Sequence, residues 1–196
     1  MFAELLRERV GSIVRLSELQ VAQLQRHFEL LQRWNNVLNL SGLDSLEDIV
    51  ERHFCESLFL GGHLPGGNLS IVDVGSGAGF PGVPVAVLRP ECPVTLIESH
   101  QRKSVFLREA VRELPNVRVL AERAEDVEER FDWALVRAVK FVNIQEALKE
   151  LATNVAFLGG QDPPPSLCFT WNAPVKLTAE KNRYLWLGRT VSRETA

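Results

Sequence analysis

The stretch Leu69-Ser70-Ile71-Val72-Asp73-Val74-Gly75-Ser76-Gly77-Ala78-Gly79-Phe80-Pro81-Gly82-Val83-Pro84 decides how this chain is read. It begins as a short β-branched run and ends, from Val83 to Leu88, in a segment of helical composition. Pro81 and Pro84 suit the first turn of that helix. Between strand and helix, three alternating glycines let the backbone turn sharply and approach a ligand without a side chain intervening. A strand, a glycine turn and a helix predict an open α/β sheet with its ligand at the carboxyl end of the strands.

The spacing narrows the ligand. A dinucleotide fingerprint needs glycine at its sixth position, and counting from Gly75 that position is Phe80. No GxxxxGK[ST] sequence is present, which excludes a P-loop. A GxGxG turn alone marks any tight strand-to-helix connection. Here Asp73 stands two residues before it, and the next apolar run, Val94 to Ile97, ends in Glu98. An acid at that place can accept hydrogen bonds from both ribose hydroxyls of a nucleoside. The combination fits S-adenosylmethionine better than NAD.

Working outward, further apolar runs stand at Val117–Leu120, Trp133–Val136 and Asn154–Leu158, with helical segments at Gln101–Glu113 and Ile144–Leu151 between them. Continuous rather than alternating runs predict parallel strands buried on both faces. After a loop with three consecutive prolines, Leu167–Trp171 and Tyr184–Leu187 predict a closing antiparallel pair. Upstream, residues 1 to about 62 read as helical. A capping box at Ser17/Gln20 opens one helix, with Leu24, Phe28, Leu31, Val37 and Leu38 as its apolar face. A second begins near Ser45, and Gly61, Gly62, Pro65, Gly66 and Gly67 predict a linker. The division expected is a helical region over 1–65 and a catalytic body over 66–196.

The 196 residues suffice for a full core without metal or disulfide. The widely spaced Cys55, Cys92 and Cys168 show no CxxC pair, so neither a metal site nor a disulfide framework is expected, a reducing cytoplasm fits, and Cys92 and Cys168 are expected as small buried hydrophobes. No apolar run is long enough for a membrane helix, and the charged first residues do not read as a secretory signal. The net charge of −3 excludes an indiscriminate polyanion binder. The deficit is confined to residues 1–60, with six basic against nine acidic side chains; the remainder carries sixteen of each. A selective site on RNA remains compatible with that balance.

The run Val72 to Pro84, with its Gly-Phe-Pro-Gly tail, resembles the motif of the glucose-inhibited division protein B family. Trp34-Asn35, Asn39-Leu40-Ser41, Glu51-Arg52-His53, Glu98-Ser99, Arg123-Ala124-Glu125 and Arg137-Ala138 resemble further segments of that family. The likeness covers roughly residues 17 to 150. It weakens after Leu151, where the lysine usual after the fifth strand is missing from Leu158-Gly159-Gly160. The resemblance implies a class I S-adenosylmethionine-dependent methyltransferase, Rossmann-like, with a mostly parallel seven-stranded sheet and an N-terminal helical extension. It implies methyl transfer to N7 of one guanine in small-subunit (16S) ribosomal RNA, by a cytoplasmic monomer acting on the RNA or the small subunit. Cofactor contacts are expected at Asp73, Gly75, Gly77, Gly79, Phe80, Glu98, Ala124, Glu125 and Arg137, with the adenine beside Ala124 and Glu125.

Guanine N7 carries an in-plane lone pair and needs no general base, so catalysis reduces to positioning. Arg137 is the candidate for that work, on the guanine O6, a phosphate or the cofactor carboxylate. The Asn/Asp-Pro-Pro-aromatic motif of exocyclic-amine methyltransferases is absent after the fourth strand, and no cysteine reads as a nucleophile. His53 reads equally as an acid/base group or as a packing residue that orients the Asn39 region. RNA contacts are expected from Arg52, His53, Arg123 and Lys140. A small-molecule methyltransferase and a non-catalytic nucleoside-binding module are the competing readings.

Overall fold

A computed structural model describes residues 1–196 except 44, 165–167, 178–181 and 192–196. The helical front comprises α1 (Phe2–Val10), α2 (Glu18–Leu38), α3 (Leu46–Ile49), a π-helical segment (Val50–Cys55) and α4 (Glu56–His63). The body follows as β1 (Ile71–Val74), α5 (Gly82–Leu88), β2 (Val94–Ile97), α6 (Gln101–Ala110), β3 (Val117–Leu120), a 3-10 turn (Ala124–Asp126), β4 (Phe131–Arg137), α7 (Phe141–Leu151) and β5 (Ala152–Gly159). The described residues end with β6 (Phe169–Trp171), β7 (Val175–Lys176) and β8 (Tyr184–Thr190).

One sheet runs in the order β3-β2-β1-β4-β5-β8-β6, with β7 also on β8. Strands β1 to β5 are parallel, and β8 is antiparallel to β5 and to β6. Every residue of β1 and β2 is buried, as their unbroken apolar runs require when helices cover both faces. The expected sheet of seven strands is thus present by position. The eighth strand, β7, lies end to end with β6 along the same edge of β8, because β5 occupies the other edge. Pro174 interrupts that edge, having no N–H for the ladder. Leu167, the expected first residue of β6, lies outside the described residues, as do Pro165 and Ser166 of the proline loop.

The helical front packs onto the sheet through one apolar cluster that extends from Phe2 and Leu24 to Leu96 and Leu185. The Ser17/Gln20 capping box forms, and the Gln20 amide also donates to the Val87 carbonyl at the end of α5, 2.9 Å away. Leu24, Phe28 and Leu31 are buried as their spacing predicts, whereas Val37, further along the helix, is exposed.

The expected linker at Gly61 and Gly62 is a correction. Both glycines lie inside α4, whose side packs on α5. A Cβ on Gly61 would stand 3.0 Å from the Leu88 side chain and 3.4 Å from that of Val85. The glycine therefore serves a close helix crossing, and that gain outweighs its poor helix propensity. Gly61→Val is expected to overpack this crossing and lower stability by about 2 kcal/mol, read as a reduced urea midpoint with unchanged slope.

Candidate functional site

The strand order reverses between β1 and β4, and the carboxyl ends of these two strands form a cleft. The turn after β1 is pinned to the neighbouring strand: the amides of Gly75 and Ser76 both donate to the Ile97 carbonyl, at 2.9 and 3.0 Å. Gly75 has φ +71°. A Cβ there would also come within 2.9 Å of Val139, so backbone sign and space both require glycine. Val139 reaches this place because Ala138, just past β4, takes the left-handed conformation with φ +56°. Residues other than glycine seldom adopt it, and they concentrate at functional turns when they do.

Two cavities meet at Gly75. One, of about 180 Å³, is lined by Ile97, Ser99, Arg123, Ala124, Glu125 and Val139 among others. The other, of about 230 Å³, is lined by Leu40, His53, Gly77, Phe80, Glu98 and Arg137, with Lys103 at its side. Neither alone reaches the roughly 300 Å³ of an ordinary small-molecule site; together they exceed it. The expected Ala124 and Glu125 therefore sit apart from Glu98 and Arg137, on the two sides of one glycine.

Glu98 is buried and held by two amides: Gly77 donates to one oxygen at 2.9 Å and His100 to the other at 2.8 Å. Each oxygen keeps one lone pair for a further donor. Asp73 and Gly79, expected from the sequence among the cofactor contacts, lie elsewhere. Asp73 is buried beneath the turn, and its carboxylate accepts from the Gly82 amide at 2.9 Å, fastening the glycine loop to the start of α5. Burial raises this carboxyl to about 7 despite that amide. Gly79 turns toward the helical front, 3.2 Å from His27 where a Cβ would stand.

Phe80 lines the larger cavity and is clamped from both faces. Its ring stacks on His53 at 4.5 Å and on His27 at 4.7 Å. His27 carried no functional expectation from the sequence, because nothing local marks it. Its Nε2–H donates to the Ala78 carbonyl at 2.8 Å, inside the glycine loop. Burial pushes its imidazole down to about 4. Burial, the Arg137 charge and the nearby His27 and Arg52 push His53 down to about 3. His53 Nε2 meets the Ser41 hydroxyl at 2.7 Å, and Asn35 clamps the backbone of Ser41 through both its N–H and its C=O. So His53 does orient the Asn39 region, and it does so as a neutral ring.

Arg137, ending β4, is 9% exposed, and its Nη1 has no hydrogen-bond partner among the described residues. Burial lowers its pKa to about 10, with the Glu56 carboxylate opposing, so it stays charged at neutral pH. Of the expected RNA contacts, His53 lines the larger cavity and Arg123 the smaller. Arg52 is half-buried in the π-helical segment, and Lys140 is exposed before α7. Leu40, Ser99, Lys103 and Val139 line the cleft without having been singled out as its walls, since only the fold brings their loops together.

Residues 20–158 match the family described as rRNA small subunit methyltransferase G. The chain belongs to this family. Relatives named ribosomal RNA small subunit methyltransferase G include that of Chromobacterium violaceum, 41% identical over 75% of this chain and 71% of the relative. That of Nitrosomonas europaea is 42% identical over 66% of this chain and 63% of its own length. That of Dictyoglomus thermophilum is 35% identical over 83% and 72%. Among solved structures, a S-adenosylmethionine-dependent methyltransferase from Aquifex aeolicus superposes with a TM-score of 0.61 at 18% identity, covering 78% of this chain and 97% of that one. The Methanococcus jannaschii fibrillarin pre-rRNA processing protein gives 0.51 at 16%, over 63% and 66%. These likenesses show the class I methyltransferase fold. The methyltransferase G family member described here takes its methyl from S-adenosylmethionine, and the cleft fits that cofactor: a carboxylate with spare lone pairs, a bare glycine backbone and a buried guanidinium whose Nη1 has no partner among the described residues.

The buried histidines give the methyltransferase an acid-sensitive clamp. A folded pKa below the unfolded value of about 6.5 contributes stability that is present above pH 6.5 and lost as pH falls toward 4. Asp73 acts oppositely, favouring the folded state below about 7. His27→Gln is expected to be less stable than the parent at pH 7, with the gap shrinking by about 2 kcal/mol at pH 5. Urea titrations at the two pH values check this; an unchanged gap would mean that His27 does not become neutral on folding.

Proposed function

We propose that this methyltransferase modifies N7 of one guanine in small-subunit ribosomal RNA, met as the RNA or within the small subunit. The observation that carries this reading is the paired cleft at Gly75, with Ala124 and Glu125 on one side and Glu98, Arg137 and a neutral His53 on the other. Bound S-adenosylmethionine supplies an electrophilic methyl group on a sulfonium sulfur. Everything else falls to the chain: binding, aligning and excluding water.

Glu98 accepts from the ribose hydroxyls with its remaining lone pairs. Ala124 and Glu125 border the adenine, and Gly75 and Gly77 let the backbone pass close to the cofactor. Arg137 holds the methionine carboxylate with its free Nη1 donors. That assignment is preferred over guanine O6 because methylation at N7 leaves the base cationic, and a guanidinium on the same ring would oppose it. His53 supports the same logic, since its ring stays neutral and adds no charge against the product. No group is needed to remove a proton, because the N7 lone pair is free at neutral pH. Arg52, Arg123 and Lys140, with Lys103, frame the mouth for RNA phosphates. The neutral charge balance of residues 61–196 makes phosphate attraction modest, so recognition rests on a shaped site, in the cytoplasm and as a monomer.

Incubation with labelled cofactor and small subunits from a strain lacking the modification is expected to label one guanine, which then becomes sensitive to N7-specific strand cleavage. Labelling of a small molecule instead, or cofactor binding with no transfer to subunits or naked RNA, would support the competing readings. Gly77 has open space where a Cβ would stand, its nearest neighbour being the Gly75 carbonyl at 3.8 Å. Gly77→Asp places a carboxylate in that space beside Glu98 and is expected to weaken cofactor binding at least a hundredfold by calorimetry.

A further inference from the structure

Glu56 is 4% exposed and lies on α4 one residue past the π-helical segment, facing two arginines from distant parts of the chain. Arg183, which immediately precedes β8, grips both carboxylate oxygens: Nε donates to Oε1 at 3.1 Å and Nη2 to Oε2 at 2.7 Å. Arg137 approaches the same carboxylate only to 4.0 Å, through Nε. That distance gives electrostatic attraction without a hydrogen bond. At the other end of the guanidinium Nη1 has no partner among the described residues, and Arg137 lines the cofactor cleft.

We propose that Arg183 is a positioning residue: by occupying both oxygens of Glu56 it prevents that carboxylate from drawing Arg137 out of the cleft. A buried carboxylate left with unpaired oxygens is strongly unfavourable, and among the described residues Arg137 is the other cation within ion-pair reach of Glu56. A movement of about 1 Å would convert the long contact into a charge-assisted hydrogen bond. The ligand carboxylate would then compete with Glu56 for one guanidinium. Glu56 in its present place does the reverse, favouring the charged form of Arg137 while leaving its donors free. The backbone holds Arg183 in place, since its carbonyl accepts from the Leu177 amide at 3.0 Å and so continues the β7–β8 ladder that pairs Lys176 with Tyr184. The short edge strand thus fixes the residue that sets the guanidinium of β4. Arg183 lies beyond residues 20–158, so this control comes from outside the matched part of the chain.

This inference rests on the assignment of Arg137 to the cofactor carboxylate, and its test separates the two. S-adenosylhomocysteine affinity is measured by calorimetry, and cofactor KM and kcat by methyl transfer to small subunits, for Arg137→Gln, Arg183→Met, Glu56→Gln and the Glu56→Gln/Arg183→Met pair. Arg183→Met is expected to weaken binding about tenfold and raise KM similarly, with kcat within about threefold. The pair is expected to bind within about threefold of Glu56→Gln, because a neutral amide cannot capture Arg137. Arg183→Lys, which keeps the charge and folds if Arg183→Met does not, should lie between parent and Arg183→Met. If Arg137→Gln loses affinity while Arg183→Met does not, or if the pair binds no better than Arg183→Met, the positioning role is overturned and the Arg137 assignment stands. If Arg137→Gln binds normally, the assignment itself falls, and the positioning role with it.

Discussion

The clamp on Phe80 is the contact that holds the site together. Its ring lies between His27, from α2, and His53, from the π-helical segment, at stacking distance from both. The phenyl also meets Phe54 edge to face at 5.0 Å. These contacts tie the glycine loop of the sheet to the helical front. Since His27 also holds the Ala78 carbonyl, the front fixes the loop's backbone as well as its side chain. The glycines that let this loop approach a ligand would otherwise make it mobile, and the clamp offsets that freedom.

The clamp brings an electrostatic requirement. The two imidazoles stacked on Phe80, His53 of them beside Arg137, must remain neutral, and burial enforces it. Arg137 and Glu98 thus face the larger cavity with no imidazolium beside them. Such an arrangement suits a transfer in which positive charge moves from a sulfonium to a base, because the two imidazoles add no cation against the product. The π-helical segment contributes by geometry. It places His53 at the cleft and Glu56, three residues on, against the arginine pair, and such segments recur at functional sites.

Much of this was legible in residue order. The strands at Val94–Ile97 and Val117–Leu120 have the boundaries their apolar runs predict, and the Ser17/Gln20 box opens α2 as expected. Glycine spacing pointed to the nucleoside rather than the dinucleotide class, and Glu98 stands where that reasoning puts it. The linker reading failed for a physical reason. Gly61 and Gly62 read as a linker because propensity weighs only the local chain, whereas α5 rewards their small size. The motif also marks Asp73 and Gly79, and only the structure shows that they pack on Gly82 and His27.

By itself, the sequence determined the alternation of strands and helices, the buried strands, the glycine turn and the acid that ends β2. These follow from periodicity and backbone sterics, which act over a few residues. Only the tertiary structure decided the partners: His27 and His53 on one phenyl ring, Asn35 on Ser41, and Arg183 with Arg137 about Glu56. The physical reason is that a side chain's charge and free donors depend on burial and on neighbours brought from far along the chain. Arg183 is separated from Glu56 by 127 residues, and no local pattern records that they meet.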